Sequence, residues 1–240
     1  MSSADIDCIV AEQQRVYLPV KGSEQLFPVG RVYCVGRNYA AHSREMGDDP
    51  DRDPPFFFAK DASCVLPVEF SNQTDLAYPM ATEQFEYEVE LVVAIGKGGN
   101  NLSIEQAQES ILGFSVGLDM TRRDLQAQAK KKGRPWEVGK SFDLSAPMSP
   151  IILNNHAIAK DLTKAEIVLQ VNSEVKQKSD ISHLTWSIEE VICKLSEVFE
   201  LRPGDLIMTG TPENVGAVKV GDVMDASIEH LGSISLKVTD

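Results

Sequence analysis

The sequence predicts an α+β, mostly β fold: a mixed sheet with a few short helices around it. Short apolar runs recur at irregular spacing with little helix between them, whereas a doubly wound fold alternates strand and helix. No G-x-G-x-x-G follows a strand and no P-loop is present, which removes the commonest nucleotide-binding folds. The 240 residues, 42% apolar and 25% charged, are ample for a real core.

Residues 1–25 are irregular, interrupted by Pro19 and Gly22, and read as an arm or small cap. Val32 to Val35 is a short buried strand broken by Gly36. Asn38 is placed to cap a short helix from Tyr39 to Met46, stopped by Gly47. A polar, proline-rich loop follows, then an apolar strand from Phe56 to Ala59 that ends at Lys60. Residues 85–95 alternate: Phe85, Tyr87, Val89, Leu91, Val93 and Ile95 point one way, and Glu86, Glu88, Glu90, Val92 and Ala94 the other. Ser103 with Gln106, Thr121 with Asp124, and Ser187 with Glu190 predict capping boxes for three helices, the second closed by Gly133. The third helix carries an apolar stripe of Ile188, Val191, Ile192, Leu195, Val198 and Phe199. Strands are expected at 112–118, 167–171, 206–208, 223–228 and 233–238, with a turn at Pro203-Gly204-Asp205.

Composition excludes several classes. Lys plus Arg number 23 against 36 Asp plus Glu, a net charge of −13, so no basic surplus exists to replace counterions on nucleic acid. The lysines at 130–132 read as a solvated last helical turn. The longest apolar run, Leu91 to Ile95, is far short of the roughly 20 residues of a membrane span. Asp5 and Asp7 near the N-terminus are wrong for a signal peptide. None of the four cysteines forms a Cys-x-x-Cys pair, and Cys34 and Cys193 read as buried small hydrophobes, so reduced thiols and a cytoplasmic home are expected.

Glu86, Glu88 and Glu90 lie on one strand face, about 7 Å apart at successive positions. They could be a solvated outer face, but the same face turns apolar at Val92. Stacked carboxylates repel unless a cation sits among them, and Mg2+ or Ca2+ prefers such oxygens, with Asp119 at a strand end as a further ligand. His42 and Glu45 share a helix face, either as a surface pair or as a base with its orienting carboxylate. His156, His183 and His230 read as surface residues. Lys60 and Lys140 are either strand-end lysines or partners of a carboxylate substrate. Thr209-Gly210-Thr211-Pro212 is either a plain turn or a loop whose N–H groups and hydroxyls hold an oxyanion.

In combination these stretches resemble the fumarylacetoacetate hydrolase family, in its acylpyruvate/fumarylpyruvate hydrolase branch. The matching segments are GRNYAAHSREMG (36–47), PPFFFAK (54–60), EYEVELVVAIGKG (86–98), GLDMTRRDLQAQAKKKGRPWEVGKSFD (117–143) and LRPGDLIMTGTPENVG (201–216), within 28–238. The resemblance implies a mixed β-sandwich or β-roll with flanking helices, a homodimer, and a catalytic domain at 28–240 behind an arm at 1–27. It implies Mg2+, with Mn2+ or Ca2+ as alternatives, on Glu88, Glu90 and Asp119, without Glu86 as a direct ligand. It implies His42 and Glu45 as a catalytic pair on a lid helix, Lys140 as the active-site lysine, and Lys60, Arg123, Gln126 and Thr211 in the pocket. Arg37 and Arg123, and less so Lys60, are then candidates for a second substrate carboxylate, with Gly210 also at the substrate. Tyr87 departs from the branch, which usually has His there; an effect on packing behind the strand or at a subunit contact is expected. The implied activity is hydrolysis of the carbon–carbon bond of a diketo acid, fumarylpyruvate by its closest likeness. The alternatives are an oxaloacetate decarboxylase or keto–enol isomerase of a homocatechuate-type pathway, and a metal-dependent binder without turnover.

Overall fold

The computed structural model describes residues 9–11, 13–40, 54–70 and 72–240. Alternation in one segment lays out the whole molecule. Phe85, Tyr87, Val89, Leu91, Val93 and Ile95 all enter one large core, joined by Ile167, Leu169, Met224, Ala226, Ile234 and Leu236. On the opposite face Val92 and Ala94 enter a second core with Val32, Cys34, Met148, Leu206 and Met208. The strand Val89–Ile95 is therefore buried on both faces, which explains its unbroken apolar run.

Two mixed sheets enclose the large core. One has eight strands, in the spatial order Phe56–Lys60, Val32–Gly36, Leu206–Met208, Val89–Ile95, Ile111–Leu118, Ala146–Met148 and Val65–Pro67, with Ile152–Leu153 also on Ile111–Leu118. The other has five: Glu174–Asp180, Glu166–Val171, Val223–Ile228, Gly232–Thr239 and Gln73–Ala77. A small three-stranded sheet joins Thr121–Arg122, Phe85–Tyr87 and Gly216–Val218. The segment 85–95 thus passes from the small sheet into the large one at Glu88. Its register against the neighbouring strand is the same on both sides: Glu86 pairs with Thr121 and Val89 with Leu118. Glu88 consequently lies across from Asp119, whose N–H donates to the Glu88 carbonyl at 2.9 Å. Among the described residues no helix is long and apolar enough to cross a membrane.

The boxes at Ser103/Gln106 and Ser187/Glu190 form as expected, on helices Ile104–Ser110 and Ile188–Val198. In the second helix Val191, Ile192 and Leu195 are buried, but Val198 and Phe199 are exposed, and Phe199 leaves the helix to pack its ring 5.0 Å from that of Tyr33. The box at Thr121/Asp124 does not form. Thr121 belongs to a strand, Arg122 is the N-cap without a side-chain bond, and Asp124 is taken by the Thr82 hydroxyl at 2.6 Å and the Glu83 N–H at 3.1 Å. Gly133 does close that helix, Arg123–Lys131, at φ +59°. The helix expected at 39–46 lies largely outside the described residues.

Within the expected arm, Tyr17–Pro19 pairs with Leu26–Pro28 and delivers Leu18 and Phe27 to the second core. Tyr87 is buried in the large core, and a Cβ on its strand partner Gly216 would lie 2.6 Å from the tyrosine oxygen. The glycine makes room for the tyrosine. Cys34 and Cys64 are buried and Cys193 is half-buried; all three are free thiols.

Candidate active site

The cross-strand geometry brings Glu88, Glu90 and Asp119 together. All three are buried, and their ligand oxygens lie within 4.8 Å of one another. Burial pushes the Glu90 carboxyl well above the usual carboxylate range, and Asp119 and Glu88 push it further. The chain answers with three cations. Lys140 Nζ donates to Glu88 Oε2 at 2.8 Å, to Asp119 Oδ2 at 2.7 Å and to the Thr121 hydroxyl at 2.7 Å. Burial alone would lower the pKa of Lys140, but Asp119 and Glu88 outweigh it and hold the ammonium protonated, with a raised value. Arg123 donates to Glu88 Oε1 at 2.5 Å, to Glu86 Oε2 at 2.6 Å and to Gln126 Oε1 at 2.6 Å. Lys60 Nζ lies 2.8 Å from Asp119 Oδ1.

A hard divalent cation fits this donor set on two counts. Glu90 is buried beside Asp119 and Glu88, and its charged form is the one that burial and those two neighbours penalise. Asp119 Oδ1 is also buried without a well-aligned hydrogen bond: Lys60 is near enough for an ion pair, but not along a good hydrogen-bond direction. An additional cation on carboxylate oxygens removes both penalties.

A cleft opens above the triad. Its aromatic wall is Phe56, Phe58 and Trp136, with Trp136 edge-on to Phe56 at 5.2 Å. Gly36 is necessary at this wall because a Cβ there would run into the Phe56 ring. Arg37 sits over Phe56 at 5.3 Å and holds a left-handed backbone, φ +62°, a costly conformation that non-glycine residues keep mainly at functional sites. Gln126, Lys130 and Thr211 complete the lining. Because Arg123 occupies the Gln126 oxygen, the NH2 group of that amide is the part left for the cleft.

Most of the expected residues thus converge: Arg37, Glu88, Glu90, Asp119, Arg123, Gln126, Lys140 and Thr211 line one cleft. Three do not fit their expected roles. Lys60 is enclosed behind Asp119, bonded to the Met120 and Lys140 carbonyls and the Ser145 hydroxyl, so it is no substrate contact. Gly210 gives its N–H to Glu90 Oε2 at 2.8 Å, so that donor serves the triad rather than an oxyanion. Arg123 gives three of its five N–H groups to Glu86, Glu88 and Gln126 and is already paired with two carboxylates, with which a second substrate carboxylate would compete. His42 and Glu45 lie outside the described residues. His156, His183 and His230 are exposed, as expected.

The site also uses residues that sequence reasoning missed. Asn38, expected as a helix cap, also holds a loop of the site. Its amide donates to the Thr209 carbonyl at 2.9 Å and the Trp186 carbonyl at 3.0 Å, and accepts the Trp186 N–H at 2.8 Å. It backs Gly210, where φ is +107° and a Cβ would lie 2.8 Å from the Asn38 Cβ. Gln177 ties the second sheet to the site strand and carries no sequence signal at all. Lys130, the first of the lysine run, lines the cleft as well as ending its helix.

The fumarylacetoacetate (FAA) hydrolase C-terminal family model matches residues 31–239. A fumarylpyruvate hydrolase from Ralstonia sp is 42% identical over 195 residues, covering 80% of this chain and 98% of that protein. The crystal structure of fumarylpyruvate hydrolase from Pseudomonas aeruginosa in complex with Mn2+ and pyruvate is similar at a TM-score of 0.93 and 53% identity, over 97% of this chain and 99% of that one. The mitochondrial oxaloacetate tautomerase of Homo sapiens is 36% identical over 207 residues, 86% of this chain and 90% of the relative.

Proposed function

Since the chain belongs to the fumarylacetoacetate hydrolase family, we propose that it hydrolyses fumarylpyruvate to fumarate and pyruvate, with Mg2+ on Glu88, Glu90 and Asp119. The observation that carries this reading is the buried acidic triad, ringed by cations and roofed by an aromatic wall, in one cleft. The solved relative in complex with Mn2+ and pyruvate supports a divalent cation and pyruvate as a product.

When bound, the divalent cation supplies Lewis-acid polarisation of a 2-oxo acid and charge stabilisation for an enolate. The chain's own residues do the rest. His42, oriented by Glu45, takes a proton from water. The hydroxide oxygen bonds to the distal ketone carbon, the bond from that carbon to the methylene breaks, and its electron pair leaves as the enolate of pyruvate. The proton that His42 took from water passes to the former methylene carbon of that enolate and gives pyruvate. Lys140, paired with Asp119 and Glu88 at the cleft, supplies positive charge beside the leaving group. Arg37, on the aromatic wall, takes the fumaryl carboxylate.

The test is a panel of fumarylpyruvate, acetylpyruvate and oxaloacetate, with Mg2+ and after chelation. Fumarylpyruvate is expected to have the highest kcat/KM, and chelation to abolish it. Faster turnover of oxaloacetate would replace the hydrolase reading with the tautomerase or decarboxylase one, which the human relative favours. The working form on this reading is a homodimer in the cytoplasm; sedimentation equilibrium tests the first point.

A further inference from the structure

The strand Glu174–Asp180 is an edge of the five-stranded sheet, and its sequence EVKQKSD is nearly all polar. It buries one residue completely, and that residue is Gln177. A buried amide is costly unless its hydrogen bonds are met. Here they are met by groups of the active site. The Gln177 oxygen accepts the Val89 N–H at 3.0 Å. The Gln177 nitrogen donates to the Thr211 hydroxyl oxygen at 3.0 Å, to the Pro212 carbonyl at 2.8 Å and to the Glu213 carbonyl at 3.3 Å. The ladder to the neighbouring strand shifts at Leu169/Gln170, beside the Leu169–Gln177 pair, the kind of irregularity that re-aims a side chain.

These partners fix which way the amide faces. The Val89 N–H needs an oxygen, and the Pro212 carbonyl needs an N–H, so a flipped amide would break both bonds. At Thr211, therefore, Gln177 is the donor. A hydroxyl has one proton and two lone pairs. With a lone pair committed to Gln177, the Thr211 proton is free for another acceptor, and Thr211 lines the cleft with the triad. Val89 stands between Glu88 and Glu90 in the chain, so one side chain sets the hydroxyl and the two carboxylates relative to each other.

We infer that Gln177 is a positioning residue that aims the Thr211 hydroxyl into the cleft as a hydrogen-bond donor to an anionic oxygen of the 2-oxo acid. The inference rests on the acylpyruvate reading for the identity of that acid, and the test separates the two. Thr211→Val removes the hydroxyl at constant shape. Gln177→Glu keeps the acceptor for Val89 but replaces the donor by a second acceptor, which draws the Thr211 proton back out of the cleft. Gln177→Met removes the donor without adding charge. The affinity of the Mn2+-loaded protein for pyruvate is measured by calorimetry, beside Mn2+ affinity, melting temperature, and kcat and KM for fumarylpyruvate. Thr211→Val and each Gln177 variant that folds should weaken pyruvate binding and raise KM about tenfold or more, the loss of one hydrogen bond to a charged group. Thr211→Val should leave Mn2+ affinity unchanged, and the double variant should be no worse than the weaker single one. Wild-type pyruvate affinity in Thr211→Val overturns the inference. So does a Gln177 variant that lowers the melting temperature but leaves pyruvate affinity and KM alone, or a double variant in which the losses multiply. If the wild type cleaves no acylpyruvate, the functional reading falls, and the pyruvate titrations still decide the role of Gln177.

Discussion

Lys140 and Lys60 grip the same carboxylate from opposite sides, at 2.7 Å from Asp119 Oδ2 and 2.8 Å from Oδ1, and each is 2% exposed. Burial and distance do not tell them apart; their other partners do. Lys140 bonds to side chains, those of Glu88 and Thr121, and lines the cleft. Lys60 bonds to the Met120 and Lys140 carbonyls and the Ser145 hydroxyl, and does not line it. A charge held by backbone is scaffold, and a charge held by the groups it shares a cleft with can act on a ligand. The same distinction separates Gly210, which serves Glu90, from Thr211, which faces the cleft.

The largest expected effect removes a carboxylate that Lys140 holds in place. Glu88→Gln deletes one charged oxygen and should lower turnover by orders of magnitude with the melting temperature retained; a fully active variant in the presence of chelator would refute metal dependence. Next comes the direct contrast. Lys60→Met strips buried Asp119 of one of its two counter-ions and leaves the Met120 and Lys140 carbonyls without their donor, and should cost about 3–5 kcal/mol of stability in a denaturant titration. Lys140→Met also takes a counter-ion from buried Glu88 and Asp119, so the contrast lies in kcat, which should fall at least about a hundredfold and well beyond the loss in the Lys60 variant. The reverse pattern would exchange the two roles.

The pH dependence sharpens the comparison. The folded-state pKa of Lys140 is raised, so its contribution to stability is complete below the unfolded-state value and lost as the pH climbs through the raised one. Above about pH 10.4 the wild type should therefore lose stability more steeply than Lys140→Met. A smaller effect belongs to substrate selection. Arg37→Ala should lower kcat/KM for fumarylpyruvate about tenfold more than for acetylpyruvate, which lacks the distal carboxylate. The smallest lies far from both lysines: Ser187→Ala removes a capping box and should cost about 1 kcal/mol of stability without changing kcat.

The acidic triad and the main strands were legible because a period of two is a strong signal when one face must be apolar, as Phe85 to Ile95 shows. Glu174–Asp180 and Gln73–Ala77 were not. Each buries a single residue, Gln177 and Leu76, and is held by backbone ladders that leave no side-chain period to read. Lys60 shows a partial success. Its place at the end of an apolar strand was read correctly, but its depth depends on Asp119 and Lys140, which are distant in sequence. The failed box at Thr121/Asp124 has a comparable cause: Thr121 was claimed by strand pairing with Glu86 before a helix could use it.

The segment 85–95 also limits how this protein can change over generations. Site carboxylates and core side chains interleave along it residue by residue, so a one-residue insertion or deletion would turn the whole strand over. Aromatic and aliphatic groups would then face the cleft, and Glu88 and Glu90 would be driven into the interior between the sheets. Folding and chemistry would be lost together, with no intermediate that keeps either. Length variation is therefore barred from this stretch, and its variants must arise by substitution alone.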